Sequence, residues 1–340
     1  MQKRSFLVLV GATIVLVAAA LFAVLSGERA ASPAARDERV FPDLANRLGN
    51  LAWMRLSHGA TRIDFAAIGG SWVLIEKGNY PAASGKMRRL LLGLGGLALV
   101  EPKTARPELL GRLDLDDPSN GKATLITLRD PTGNNVAELI VGKRRPDRFG
   151  GGNDGVYVRR PGQDRAWLAR GTLDLADDLT GWLDRRILDI APSRIAAVTL
   201  SGGDGAALVL RRDAPGGRFA VADPPEDTSF KPDPALAEAA GALAGLDLDD
   251  VKPEADLTIP ESGAATAEYA TFDGLTIRLR LLTHGSADWV AIAASGSGAA
   301  ESDAKAINDR VARWSYAIPA ARAKLLRTRL ADLVEPAKGS

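Results

Sequence analysis

The run from Ser5 to Leu25 contains no charged side chain and follows directly on Lys3 and Arg4. At about 1.5 Å of helical rise per residue, its 21 positions reach about 30 Å, the hydrocarbon thickness of a bilayer. A helix so uniformly apolar must be buried on all sides or lie in lipid. The expectation is therefore a transmembrane helix, with residues 1–26 as a membrane anchor in contact with the inner membrane through residues 5–25. The two leading cations place the N-terminus in the cytoplasm and everything after Leu25 on the far side. A cleaved signal peptide is the alternative, and Ala18 and Ala20 supply a small-x-small site. Cleavage there would leave Leu21, Phe22, Val24 and Leu25 at the new terminus, so a retained anchor is expected. The expected placement is a single-pass membrane protein with its C-terminal body exported.

Residues 27–49 are expected to form a tether, since Gly27 to Arg39 is rich in Ala, Ser, Pro and charge. Beyond it, 46% hydrophobic and 25% charged residues make an ordinary globular composition, long enough for two cores. Collagen, wholesale disorder and a polytopic membrane protein are excluded. Lys and Arg number 43 against 42 Asp and Glu, so no electrostatic case exists for nucleic acid as a partner. Cysteine is absent and His58 and His284 are the only histidines, which removes disulfides, thiolate zinc sites and histidine-rich metal centres.

Short apolar runs then alternate with turn signals. Trp53 to Leu56, Ile63 to Phe65 and Ser71 to Ile75 read as strands, the last after the Gly69-Gly70 turn. Met87, Leu90, Leu91, Leu94 and Leu97 form a helical stripe. Strands follow at Ala123 to Leu128 and Val136 to Val141 across the turn Asp130 to Asn134, then a hairpin at Val156 to Val158 and Ala166 to Leu168. Leu173 to Ile187 returns to helical spacing through Leu175, Leu179, Trp182 and Leu183. The same order recurs further on. Met54-Arg55-Leu56-Ser57-His58-Gly59 aligns with Val198-Thr199-Leu200-Ser201-Gly202-Gly203, and Trp72 with Phe219. Leu90, Leu94 and Leu97 align with Ala239, Leu243 and Leu246, and Leu179 and Trp182 with Val311 and Trp314. The expected fold class is α+β: the transmembrane helix, then two related units of antiparallel hairpins with packed helices, produced by internal duplication. They span residues 50–190 and 191–335. Ser295 to Ser302 reads as a loop, and Pro319 to Val334 as a basic amphipathic helix.

Familiar motifs fail on their mechanics. Gly93-Leu94-Gly95-Gly96-Leu97-Ala98 matches a dinucleotide fingerprint in letters, but a helical stripe precedes it where a strand is required. Ser84-Gly85-Lys86-Met87 lacks both the earlier glycine and the hydroxyl of a phosphate loop. Asp114, Asp116, Asp117 and Asn120 suggest a calcium loop, yet Pro118 and Leu125 stand where oxygen ligands belong. Phe149 to Gly155 is a glycine-rich connection between strands. His58 and His284 read as turn residues at strand ends, with no adjacent nucleophile motif. Trp182 and Trp314 read as core anchors. No catalytic, cofactor-binding or metal-binding residue is nominated, no cofactor is expected, and the chain is not read as an enzyme.

Leu113-Asp114-Leu115-Asp116-Asp117-Pro118, Val141-Gly142, Tyr157-Val158-Arg159 and Asp184-Arg185-Arg186-Ile187-Leu188 together resemble the bacterial domain of unknown function 4340 family. Trp314, Ile318-Pro319 and Ala331-Asp332-Leu333-Val334 extend the resemblance. It implies export behind one N-terminal helix and encoding beside gliding-type ABC transporter components. The functional expectation is a membrane-anchored periplasmic binding or scaffolding protein, an accessory of an ABC-type envelope transport system with transporter subunits as partners. A periplasmic receptor for a small molecule or glycan is the alternative, and an envelope hydrolase the third.

Overall fold

Period-two alternation, more than helical spacing, governs the computed structural model, which describes residues 38–334 apart from 120, 177, 203–206, 225–227, 229 and 231–232. The chain divides into two compact units. One comprises residues up to Val73 with Ser84–Asp177, and the other Leu74–Ala83 with everything from Asp178.

The first unit is built on one antiparallel sheet. Its strands are β1 (Glu38–Arg39), β2 (Trp53–His58), β3 (Thr61–Ile68), β4 (Ser71–Leu74), β6 (Ala98–Pro102), β7 (Thr124–Arg129), β8 (Asn135–Arg145), β9 (Gly155–Arg159) and β10 (Ala166–Arg170). The intervening β5 (Tyr80–Pro81) belongs to the segment that packs with the second unit. Within this unit the order runs β4-β3-β2-β7-β8-β9-β10-β6-β1. Pairing places Met54 opposite Phe65 and Leu128, and Leu56 opposite Ile63 and Ile126, so these side chains share one face and are buried. The helix α1 (Ser84–Gly96) buries its stripe of Met87, Leu90, Leu91 and Leu94. Its glycines allow close approach: a Cβ on Gly93 would lie 2.4 Å from the Thr172 carbonyl oxygen.

The second unit contains β11 (Arg186–Leu188), β12 (Ile195–Ser201), β13 (Ala207–Arg211), β14 (Ala220–Val221), β15 (Leu246–Asp247), β16 (Asp250–Pro253), β17 (Ala265–Thr271), β18 (Leu275–His284), β19 (Ala287–Gly296) and β20 (Trp314–Ile318). The main order is β14-β13-β12-β17-β18-β19-β20-β16, with β11 and β15 forming a separate pair. This is the order of the first unit, each strand number raised by ten, with β1 the extra strand. Helices α2 (Asp233–Ala240), α3 (Glu301–Val311) and α4 (Ala320–Leu326) accompany it. The Tyr269 hydroxyl donates to the Ala239 carbonyl at 2.9 Å, tying β17 to α2. Burial pushes that phenol well above its ordinary pKa. Tyr80 packs edge-on against Trp314 with ring centroids 5.1 Å apart.

Several sequence expectations are corrected. The α+β description overstates the helices, because alternating burial carries most of the chain into antiparallel sheet. Among the described residues no helix is long and apolar enough to cross a membrane. The expected span at residues 5–25 lies outside the described residues, so the single-pass inner-membrane placement has no structural support and is withdrawn. Residues 38–49 are not tether: β1 pairs with β6, and Val40 and Leu44 are buried. Leu173 to Ile187 is not a helix. It forms neither helix nor strand through residue 176, makes a 3-10 turn at Thr180–Trp182 and enters β11, burying Leu173, Trp182, Leu183 and Ile187 without a continuous stripe. Trp314 opens β20, whose counterpart in strand order is β10, so its pairing with Trp182 fails. The loop read at Ser295 to Ser302 already contains the start of α3, and the tail helix stops at Leu326.

Candidate functional site

A cavity of about 320 Å³ opens on the sheet of the first unit, at the ends of β2, β3, β7 and β8. Strand register builds it in two tiers. Leu56, Ile63, Val141 and Val156 form an apolar floor. Two residues along the strands on the same face come His58 and Thr61, which are paired across β2 and β3, and Thr124 next to His58. Lys122 and Arg144 complete a polar rim, and Leu173 to Ala176 forms the opposing wall.

Arg144 reaches this rim through an irregularity in β8. Val141 pairs with Val158, but the next pair is Arg144 with Val156, so β8 holds one more residue than β9 over this stretch. Without that bulge, residues 141 and 144 would face opposite sides of the sheet. Gly142 makes the bulge feasible: a Cβ there would lie 2.3 Å from the Leu113 carbonyl oxygen and 2.7 Å from that of Asp114.

Asp154 fixes the arginine. It is 6% exposed, and its Oδ2 accepts from Arg144 Nε at 2.7 Å, from Arg144 Nη2, and from the Thr172 hydroxyl at 3.1 Å. Its Oδ1 accepts from the Asp147 amide at 2.9 Å. The Asp147 N–H foremost, then Arg144, hold this carboxyl below the ordinary carboxylate range against the opposing effect of burial. One buried carboxylate thus joins the glycine-rich connection, the rim arginine and the chain after β10. The Arg144 side chain stays 55% exposed, with the Nη1 edge of its guanidinium left over from the Asp154 contact.

The remaining charges are unequal. Asp174 on the wall is engaged by Arg89 at 3.0 Å and Lys86 at 3.6 Å. Lys122 has no ion-pair partner among the described residues. His58 places Nδ1 3.2 Å from the Ala123 carbonyl. The same nitrogen lies 3.4 Å from the Thr124 hydroxyl, so both of its neighbours within this range sit on the Nδ1 side of the ring.

The other sequence candidates disperse. Gly93 to Gly96 closes α1, and Ser84 to Met87 opens it. Asp114 caps a 3-10 turn in left-handed backbone, and Asp117 accepts from the Ser119 amide and hydroxyl within its own turn. Asn120 lies outside the described residues. Among the described residues no cluster of three metal-ligating side chains occurs. His284 ends β18 in the second unit. Trp182, Trp289 and Trp314 are buried and offer no exposed platform for a sugar. The rim was missed because the sequence reading took Val141-Gly142 as the close of a strand. The glycine inside an alternating run was the available signal of a bulge.

The sequence model of a domain of unknown function, DUF4340, matches residues 72–271. No curated protein and no solved structure matches the chain. The family match runs from β4 to the end of β17, includes Arg144 and Asp154, and covers more than half of the sequence. The chain belongs to the DUF4340 family.

Proposed function

We propose that this chain is a small-molecule binding protein whose receptor site is the cavity of the first unit. The observation that supports this reading is Arg144, held at the rim by a buried carboxylate before any ligand arrives. Prearranged polar groups above an apolar floor are the usual build of a small-molecule site, and about 320 Å³ lies at the small end of such sites. A hydrolase has less support, since among the described residues no carboxylate orients His58 as a general base requires.

A thermal-shift screen of small metabolites and glycans against the full chain tests the reading. A ligand of the folded state raises Tm, and hydrogen exchange should then show protection in β2, β8 and residues 172–176. Absence of any shift across a broad panel, or protection confined to other segments, overturns it. A second proposal is the accessory role beside ABC-type transporter subunits, on which the match to a domain of unknown function does not bear. Crosslinking in cells that captures no transporter subunit would count against it.

A further inference from the structure

From the charge and register of the rim, we propose that the cavity of the first unit takes a small amphipathic anion, its acidic head held by Arg144 and Lys122 and its apolar body laid on Leu56, Ile63, Val141 and Val156. The proposal rests on the binding reading above and adds the ligand's chemistry to it.

Three observations converge. The lining is segregated: four aliphatic side chains at the floor and Lys122, Arg144, His58, Thr61 and Thr124 at the rim, set by the register of five neighbouring strands, with Lys122 just before β7 and Arg144 brought round by the bulge in β8. The electrostatic balance is positive. Asp154 and Asp174 face Arg144, Lys86 and Arg89, and Lys122 adds a further cation with no partner among the described residues. Finally, Asp154 holds Arg144 by Nε and Nη2, and this orients the remaining guanidinium donors without enclosing them. A guanidinium so fixed gives up little side-chain entropy on meeting a carboxylate or phosphate.

The second unit gives an internal contrast. There the chain leaving β20 forms α4, which packs on β19 with Ala323 and Leu326 buried. Arg327 then reaches Asp288 at 2.5 Å and Thr283 at 3.2 Å, beside the end of β18. In the first unit the chain leaving β10 forms neither helix nor strand through residues 172–176, and the cavity opens beside it. The same strand order therefore carries a helix and the Arg327–Asp288 pair at this end of one unit and the cationic cavity at that of the other.

Isothermal titration of the full chain with octanoate, octyl phosphate and 1-octanol at low ionic strength tests the proposal. The expected result is saturable binding of octanoate, octyl phosphate or both, at least about tenfold tighter than octanol. Binding by octanoate alone assigns a carboxylate head, and by octyl phosphate alone a phosphate head. Lys122→Gln, at an exposed side chain without a partner among the described residues, should weaken the anion about tenfold and leave Tm unchanged. Arg144→Gln should weaken it further, and Thr61→Trp, which fills the rim, should abolish it. Octanol binding as tightly as the anions, and lost in Thr61→Trp, would overturn the anionic class while leaving the binding site in place. No binding by any of the three overturns the proposal. So does anion binding indifferent to both Lys122→Gln and Thr61→Trp.

Discussion

Arg144 and Asp154 stand ten residues apart and meet across the glycine-rich connection, with Nε 2.7 Å from Oδ2. The carboxylate is almost wholly buried and the guanidinium half exposed, so the pair works as an anchored arm. A partner that neutralises the arginine on one edge leaves the other edge directed and exposed. The same carboxylate also holds the Asp147 amide and the Thr172 hydroxyl, which joins loop, strand and wall.

Asp154→Asn keeps the shape of this junction and removes its charge. The substitution should lower Tm by a few degrees and increase hydrogen exchange in residues 147–153 and at Thr172, measured by mass spectrometry on the full chain. Unchanged exchange in both segments would show that the carboxylate does not hold them together.

Gly142→Ala introduces a Cβ that meets backbone oxygens of Leu113 and Asp114, neither of which is a flexible side-chain end. The expected cost is about 1–3 kcal/mol of stability by urea denaturation. Because the bulge aims Arg144, the same variant should bind octanoate more weakly than the parent. A neutral effect on both would mean that the strand accommodates a side chain at the bulge.

Phe65→Ala removes a ring that is 0% exposed and faces Met54 across β2 and β3. A loss of about 3–5 kcal/mol is expected from the cavity it leaves. Leu92→Ala, on the 58% exposed side of α1, should change stability by no more than about 0.5 kcal/mol. Equal urea midpoints for the two variants would contradict the core assignment.

Acid should destabilise the protein over a defined range. Asp117 is held below the ordinary carboxylate range by the Ser119 amide and hydroxyl, Asp130 by the Thr132 hydroxyl, and Asp154 by the Asp147 amide. Asp273 is lowered by the Thr271 hydroxyl and Arg194. For Asp288 burial acts upward, but Arg327 and Thr283 prevail. Each folded-state pKa lies below the unfolded value of about 3.9, so the unfolded chain takes up protons first as pH falls. Their contribution is complete well above about pH 4 and is lost as pH drops through the folded-state values. The urea midpoint should be level from neutral pH to about pH 5 and fall below about pH 4. Asp273→Asn should flatten that fall, and an identical profile would remove Asp273 from the set.

Local pattern made much of the sheet legible. Trp53 to Leu56, Ile63 to Phe65, Thr124 to Leu128 and the hairpin around Val156 and Trp167 are short apolar runs bounded by turn signals, and each lies in strand. The stripe of Met87, Leu90, Leu91 and Leu94 is a helix for equally local reasons. Leu175, Leu179, Trp182 and Leu183 have the same spacing and form none, because Trp182 and Leu183 are buried while Leu175 and Leu179 are only partly so. Burial there follows whatever core each residue meets. Of the site, His58 was recognised at its strand end, while Lys122, Arg144 and Asp154 were lost among many charges.

The amino-acid order by itself determined where strands alternate, where glycine and aspartate turn the chain, and that the order of elements recurs, since these depend on near neighbours. Only the tertiary structure decided that Leu74–Ala83 packs with the second unit, that β8 gains a residue against β9, and that Asp154 is buried beneath Arg144. Those outcomes depend on pairings between strands distant in sequence, where a one-residue difference in register changes which face a side chain occupies.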